Sequence, residues 1–375
     1  MRSTHQIYLP TEIIVHIVRF IAADGDRRQS TLHACCLISR QWYLVAVSFL
    51  YEMPQLGMGT AFTLFTNTVA PPIRVRKRRV NLGSLVRRLD LSALVHHSSN
   101  SLTARLLNRV KENLEIFIAP RVSFSWNSLP SLSKCLNLRY LDLALVSDPV
   151  PFSSLEKALR HLEKLNTLRL PRHTSLTTPT ANWPPRLQRL QVSGTFSPST
   201  ISSFPWPPLL ASLTLKNCDD LSVSSLGPFL SNPQLDRGLK RLTVSNLNRN
   251  LQPESINAIP AFLPNLTFLS VPGDLVEDTF LDIVAHMAPL SLQVLEFGYP
   301  YSDAELGFRT KSLHEALNGG LAELRSVGFA EVFVTEQRIV EDEEIELALQ
   351  ALAIKRARDG PVDGHVDTDV GVYYL

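Results

Sequence analysis

The stretch that decides the fold is Leu210-Ala211-Ser212-Leu213-Thr214-Leu215-Lys216-Asn217-Cys218. Leu213 and Leu215 alternate with polar residues, so a strand here sends both leucines to one side. Leu210 leads into that strand, and Cys218 stands three residues beyond it. The same Leu-x-x-Leu-x-Leu spacing, with aliphatic or aromatic substitutes, precedes it at Val86/Leu89/Leu91, Leu138/Leu141/Leu143, Leu165/Leu168/Leu170 and Leu187/Leu190/Val192. It continues at Leu239/Leu242/Val244, Leu266/Leu269/Val271, Leu292/Leu295/Phe297 and Leu324/Val327/Phe329, with a weaker copy at Leu114/Phe117/Ala119. Steps between middle positions run from 22 residues (Leu168 to Leu190) to 32 (Leu295 to Val327). A unit of this size is one short strand and one return, which cannot bury its leucines alone and must stack on its neighbours.

The period and pattern resemble irregular leucine-rich repeats over about 85–330. That resemblance implies an α/β solenoid, with a parallel β-sheet on the concave face and helices and irregular turns on the convex face. Most units lack the Asn or Cys that Cys218 supplies: Val146, Leu247 and Asp274 occupy the place. Prolines at Pro184-Pro185, Pro205 and Pro207-Pro208 forbid regular helices in those returns. Helical returns are expected at 153–163, 276–287 and 311–318.

At the amino end, Ile13, Ile14, Ile17 and Ile21 fall at helical intervals and read as one amphipathic stripe. Pro10 suits the start of that helix and Glu12 its first turn. After the polar break Asp24-Gly25-Asp26-Arg27-Arg28, Leu32, Cys35 and Cys36 begin a second stripe. Trp42, Val45, Ala46, Phe49 and Leu50 form a third, with Ser39 as its N-cap. Three helices so short carry more apolar surface than they can hide from water.

Leu9, Pro10, Glu12 and Ile13, then Leu32, then Ile38 four positions before Trp42, together resemble an F-box. The resemblance implies that Leu9, Pro10, Ile13, Leu32, Ile38 and Trp42 contact a Skp-type adaptor and, through it, a cullin. Two features depart from the family pattern. The connection at 22–31 is longer than in many members and is expected to weaken adaptor binding, and Ser39 stands where a cysteine is frequent. With the repeats, the chain resembles a fungal-type F-box protein with leucine-rich repeats. This implies a substrate receptor of an SCF-type cullin–RING ubiquitin ligase, or alternatively a scaffold or repeat interaction protein acting without a cullin ligase. The expected division is 1–55 F-box, 56–84 linker and entry to the solenoid, 85–335 repeats, and 336–375 capping helix and tail.

A substrate would meet the residues flanking each second leucine, which face outward on the strands. One such column holds Arg88, Tyr140, Thr167, Arg189, Ser212, Arg241 and Phe268, and the next holds Asp90, Asp142, Arg169, Gln191, Thr214, Thr243, Ser270 and Glu296. Arg169, Arg189, Lys216 and Arg241 come from four successive repeats. They form either a basic strip for an acidic or phosphorylated protein segment, with Tyr140 and Phe268 as apolar anchors, or four separately solvated bases.

The remaining features are bland. The basic run Arg74-Val75-Arg76-Lys77-Arg78-Arg79 is read as a solvated lead into the first repeat, with Val75, Val80 and Leu82 turned inward, rather than as a nuclear import signal or anionic contact. Glu341-Asp342-Glu343-Glu344 precedes Ile345, Leu347, Leu349, Leu352 and Ile354, and then come Lys355, Arg356 and Arg358. Acids before and bases after an apolar stripe match a helix dipole, so a C-terminal capping helix is expected. Asp363, Asp367 and Asp369 beside Gly364 lack the alternating ligands and closing Glu of a calcium loop. The 375 residues carry a formal charge of +2, too mild to argue for nucleic acid. Cys35, Cys36, Cys135 and Cys218 show neither metal spacing nor disulfide density, which fits a reducing cytoplasmic or nuclear setting. No signal peptide, membrane span, phosphate loop or nucleophile elbow is legible, and His96-His97 is read as a loop pair. Neither catalysis nor a cofactor or metal is expected.

Overall fold

A computed structural model describes residues 9–375 except 26, 58, 72–80, 95–98, 177–180, 197–200, 303–304, 338–342 and 360–369. The basic run 74–79 with Val75 and Val80, the pair His96-His97, the acids Glu341-Asp342 and the aspartates at 363, 367 and 369 lie outside the described residues. The chain forms two compact units, Met1–Asp148 with Lys157–Leu165, and Pro149–Glu156 with Asn166–Leu375.

The first unit opens with α1 (Thr11–Ala23), α2 (Arg28–Ile38) and α3 (Arg40–Glu52). Pro10 starts α1 without needing an N–H of its own, and its carbonyl accepts from the amides of Ile13 at 3.1 Å and Ile14 at 3.2 Å. Ser39 caps α3 by accepting from the Trp42 amide at 3.3 Å. Ile14, Val18, Leu32, Cys35, Val45 and Ala46 form the core, with Ile21, Trp42, Phe49 and Leu50 packed against it. The single isoleucine stripe is therefore two: Ile14 and Val18 face inward, while Ile13 and Ile17 face solvent. At 3.6 residues per turn, neighbouring residues cannot both point at one narrow core.

The connection between α1 and α2 is also shorter than expected, because α2 begins at Arg28 rather than near Leu32. Arg28 is a buried residue, not part of a solvated break. Its Nε donates to the Ala22 carbonyl at 3.1 Å, Nη1 to Met53 at 2.7 Å and Nη2 to Phe49 at 2.7 Å. The last turns of α1 and α3 leave carbonyls without intrahelical partners, and one guanidinium fork satisfies both ends. One side chain thus ties three helices together.

The segment expected as a linker holds a further helix, α4 (Gly59–Val69), which buries Phe62, Phe65 and Val69. The first repeats follow as β1 (Arg88–Asp90), β2 (Ile116–Ile118) and β3 (Tyr140–Asp142). They pair in parallel, with Leu89, Phe117 and Leu141 in register. The return between β1 and β2 is α5 (Asn100–Val110), capped by Ser99.

In the second unit the strands are β4 (Thr167–Arg169), β5 (Thr174–Leu176), β6 (Arg189–Val192), β7 (Gly194–Phe196), β8 (Ser212–Leu215) and β9 (Arg241–Val244). They continue as β10 (Phe268–Pro272), β11 (Val294–Gly298), β12 (Ser326–Phe329) and β13 (Gly371–Tyr374). The sheet order is β4-β6-β8-β9-β10-β11-β12-β13, all parallel, while β5 and β7 form a small sheet of their own. Leu190, Leu213, Leu242, Leu269, Leu295 and Val327 lie in one register and are buried. The fold is α/β, a helical amino-terminal module followed by leucine-rich repeats.

Some returns are helical and others are turns. Asp278–Ala285 and Thr310–Asn318 are helical, whereas the proline-bearing return before β8 is not. There, Phe204 and Trp206 stack edge-on at 5.0 Å and reach Phe196 and Phe229, so aromatic bulk fills the space a helix would occupy. Gly194 sits at φ +113 where a Cβ would overlap the Thr174 backbone, which lets β5 and β7 approach. The asparagine missing after β9 is present one residue later than expected. Asn248 is buried, accepts from the Cys218 amide at 2.8 Å and donates to the carbonyls of Leu215 at 2.9 Å and Ser245 at 2.8 Å.

The helix Glu343–Asp359 caps the last repeats, burying Ile345, Leu349 and Ala353, while Leu347 and Ile354 face solvent. Arg356 fastens it by donating to the carbonyls of Ala322 at 2.8 Å and Leu324 at 3.0 Å. Beyond it, β13 adds a strand to β12 where only a tail was expected. The alternation in Val370-Gly371-Val372-Tyr373-Tyr374 was the available signal.

Candidate interaction surfaces

The helical module presents one face. Gln41 Nε2 donates to the Leu9 carbonyl at 3.0 Å and to Thr11 Oγ1 at 3.1 Å, which ties the start of α1 to the start of α3. Ile38 ends α2 one residue before the Ser39 cap. Leu9, Pro10, Ile38 and Trp42 therefore meet at one end of the module, with Ile13 one turn along α1. Pro10, Ile13 and Ile38 are exposed, and Leu9 and Trp42 half-buried. Leu32 is different: it is fully buried in the helical core, so it supports the face from within rather than belonging to it. Among the exposed apolar residues that the sequence reading passed over are Phe20 at 84%, Leu37 at 73% and Leu44 at 65%. Phe20 follows Ile13 and Ile17 at helical intervals, so the face it extends was legible from spacing. The module's core is closed without these residues, which makes them candidates for an interaction surface.

The second surface is the exposed side of the repeat sheet. The strand registers place Arg189, Ser212, Arg241, Phe268 and Val294 side by side in one column. Arg169, Gln191, Thr214, Thr243, Ser270 and Glu296 form the next. The four bases fall in the columns read from the sequence. Arg189 and Arg241 share a column with Ser212 between them, Arg169 lies in the neighbouring column, and Lys216 stands past the end of β8. Parity within a strand sets the face a residue lies on, and register with the neighbouring strands sets its column. Phe268 is not an open anchor either, since it is only 8% exposed and the Arg241 guanidinium lies 3.7 Å from its ring centroid. Tyr140 is on β3 in the first unit, where its hydroxyl donates to Asp142 Oδ2 at 3.3 Å.

Farther along the second unit the face is filled by its own chain. The Tyr373 hydroxyl donates to Glu296 Oε1 at 2.7 Å, crossing Gly328 on the intervening strand. A Cβ on Gly328 would meet the Tyr373 ring at 2.9 Å, so glycine is what lets the ring lie there. Burial, and then Glu296, push the tyrosine pKa up, which keeps the donor protonated.

Reactive groups are subdued. Burial pushes the Cys135 and Cys218 thiols up to about 12, away from thiolate. Among the described residues no group of His, Cys, Asp or Glu is arranged to hold a metal ion, and no helix is long and apolar enough to cross a membrane.

The fold defines a class: a small helical module followed by leucine-rich repeats. Among curated proteins, the F-box protein YDR306C of Saccharomyces cerevisiae is 30% identical over 283 residues, covering 72% of this chain and 58% of that protein. Protein pof5 of Schizosaccharomyces pombe is 24% identical over 277 residues, covering 73% of this chain and 76% of that protein. The chain therefore spans less than two thirds of the length of YDR306C. No family model matches the chain. Solved structures with a loose likeness include the yeast Rad7–Elc1 complex (TM-score 0.44, 12% identity, 96% of this chain and 91% of that one). Another is an internalin, inlF, from Listeria monocytogenes (TM-score 0.34, 12% identity, 86% and 89%). The chain is thus similar in sequence to an F-box protein, and its own strands add leucine-rich repeats.

Proposed function

We propose that the chain is the substrate-recognition subunit of an SCF-type cullin–RING ubiquitin ligase. The α1–α3 face docks on a Skp-type adaptor, and the repeats hold a protein substrate. The observation that carries this is the set of exposed residues Ile13, Phe20, Leu37, Ile38 and Leu44 around a core that is already closed. Any chemistry then belongs to the other subunits, and this chain contributes the positioning of the substrate.

The test is co-purification of the full chain with adaptor and cullin. Wild-type protein should capture both, and Ile38→Asp with Leu44→Asp should lose both while its thermal melt is unchanged. Adaptor capture unaffected by that variant refutes the docking face. Adaptor without cullin in the wild-type capture refutes the ligase role and leaves a scaffold.

A further inference from the structure

The helix Glu343–Asp359 packs on the helix Thr310–Asn318 and buries Ile345, Leu349 and Ala353. At 3.6 residues per turn, Glu343, Leu347, Gln350, Ala351, Ile354 and Arg358 form a stripe on its opposite side. All six are exposed, Leu347 at 59% and Ile354 at 50%. The supporting helix differs, since its exposed residues Lys311, Glu315 and Asn318 are all polar. A helix that only caps the repeats needs one apolar face. This one has two.

The outer stripe reads as a palindrome. Leu347 and Ile354 lie equally far from the midpoint between Gln350 and Ala351, and so do Glu343 and Arg358. A two-fold axis through that midpoint therefore sets Leu347 of one copy against Ile354 of another, and Glu343 level with Arg358. Glu344 and Lys355 share one flank of the stripe, so the same operation brings each Glu344 within a turn of the second copy's Lys355. A parallel pair would instead set Glu343 against Glu343, and the charges select the antiparallel one. The helix dipole accounts for acids at the start and bases at the end, but not for the exposed Leu347 and Ile354 between them.

We propose that the protein forms a two-fold dimer through this helix, two copies pairing antiparallel with Leu347 and Ile354 at the centre and acids facing bases at both ends. The occupant is a second copy because the stripe is complementary to itself. A different partner would need only its own complement, with no reason for the pattern to read alike in both directions. Ala351 beside the axis has no bulk to hold the helices apart. The stripe spans about four turns, which makes a small interface, so association is weak, in the micromolar range, and falls with added salt. Neither the α1–α3 face nor the outward side of the sheet takes part.

Analytical ultracentrifugation of the full chain over a micromolar concentration series reads the mass directly. Wild-type protein should pass from monomer to dimer as concentration rises. Leu347→Asp with Ile354→Asp should stay monomeric at every concentration, with its thermal melt unchanged. Glu343→Lys with Glu344→Lys makes both ends of the stripe basic, and Lys355→Glu with Arg358→Glu makes both acidic. Each of these proteins alone should be monomeric, and an equal mixture of the two should dimerise again, a rescue that separates lost pairing from lost folding. Under a mild oxidant Ala351→Cys should cross-link to itself above the background of the native cysteines, because it lies beside the axis, whereas Glu343→Cys should not. The Ile38→Asp, Leu44→Asp protein should dimerise as wild type does, which keeps this result apart from that of adaptor capture. Wild-type protein that stays monomeric, a dimer that survives the Leu347→Asp, Ile354→Asp change, a mixture of folded charge variants that does not dimerise, or Glu343→Cys cross-linking as readily as Ala351→Cys overturns the proposal.

Discussion

Replacing Arg28 by alanine removes the clamp on the helical module, and its cost can be worked from three hydrogen bonds. The guanidinium donates at 3.1, 2.7 and 2.7 Å to the carbonyls of Ala22, Met53 and Phe49. Hydrogen bonds from a charged group contribute about 1.5–3 kcal/mol each when made singly, but here they share one cation whose burial is itself costly. Some freed carbonyls also gain water in the variant. A net loss of about 2–4 kcal/mol is expected, with burial of the cation subtracted. Amide hydrogen exchange on the full chain reads this locally: protection across 11–52 should fall roughly 30- to 1,000-fold, since 1.4 kcal/mol is tenfold. Protection in the repeats of the second unit should not change. Arg28→Lys should recover only part, because one ammonium has three donors but no fork to span two helix ends. A fall of less than fivefold in the alanine variant would refute the clamp and leave Arg28 as an ordinary buried residue.

Leu32→Ala should destabilise the module by about 2–5 kcal/mol through its cavity, whereas Phe20→Ser should leave the thermal melt unchanged and weaken adaptor capture. Asn248→Ala strands the Cys218 amide and the Leu215 carbonyl inside the repeats, and urea titration should show a loss of about 2–3 kcal/mol. Asp278 accepts from Ser312 Oγ at 2.6 Å and from the Arg309 amide at 2.9 Å, and those bonds hold its carboxyl below the usual range. A folded-state pKa lowered in this way adds stability above the unfolded value of about 3.9, and that stability is lost as pH falls through the folded pKa. Asp278→Asn should therefore be less stable than wild type at neutral pH, with the two melts converging below about pH 4. A constant difference across that window would sink the assignment.

How much of this was legible depends on the range of the signal. The repeats were, because each unit restates its pattern and the buried leucines needed only parity and period to be found. The cap on Ser39 and the helices at 278–285 and 310–318 are local events and followed from local residues. The F-box positions were legible as a pattern, though not which of them stay accessible: Leu32 and Ile38 lie six residues apart on one helix, yet one is core and the other surface.

Sequence alone therefore determined the architecture, helices first and stacked parallel strands after, since hydrophobic period is written residue by residue. Tertiary structure decided where long side chains end. Arg28 reads as a surface charge until two helix ends offer it carbonyls. Tyr373 reaches Glu296 only because a glycine lies between them on another strand. Each of these contacts joins residues distant in sequence, and no periodicity carries that information.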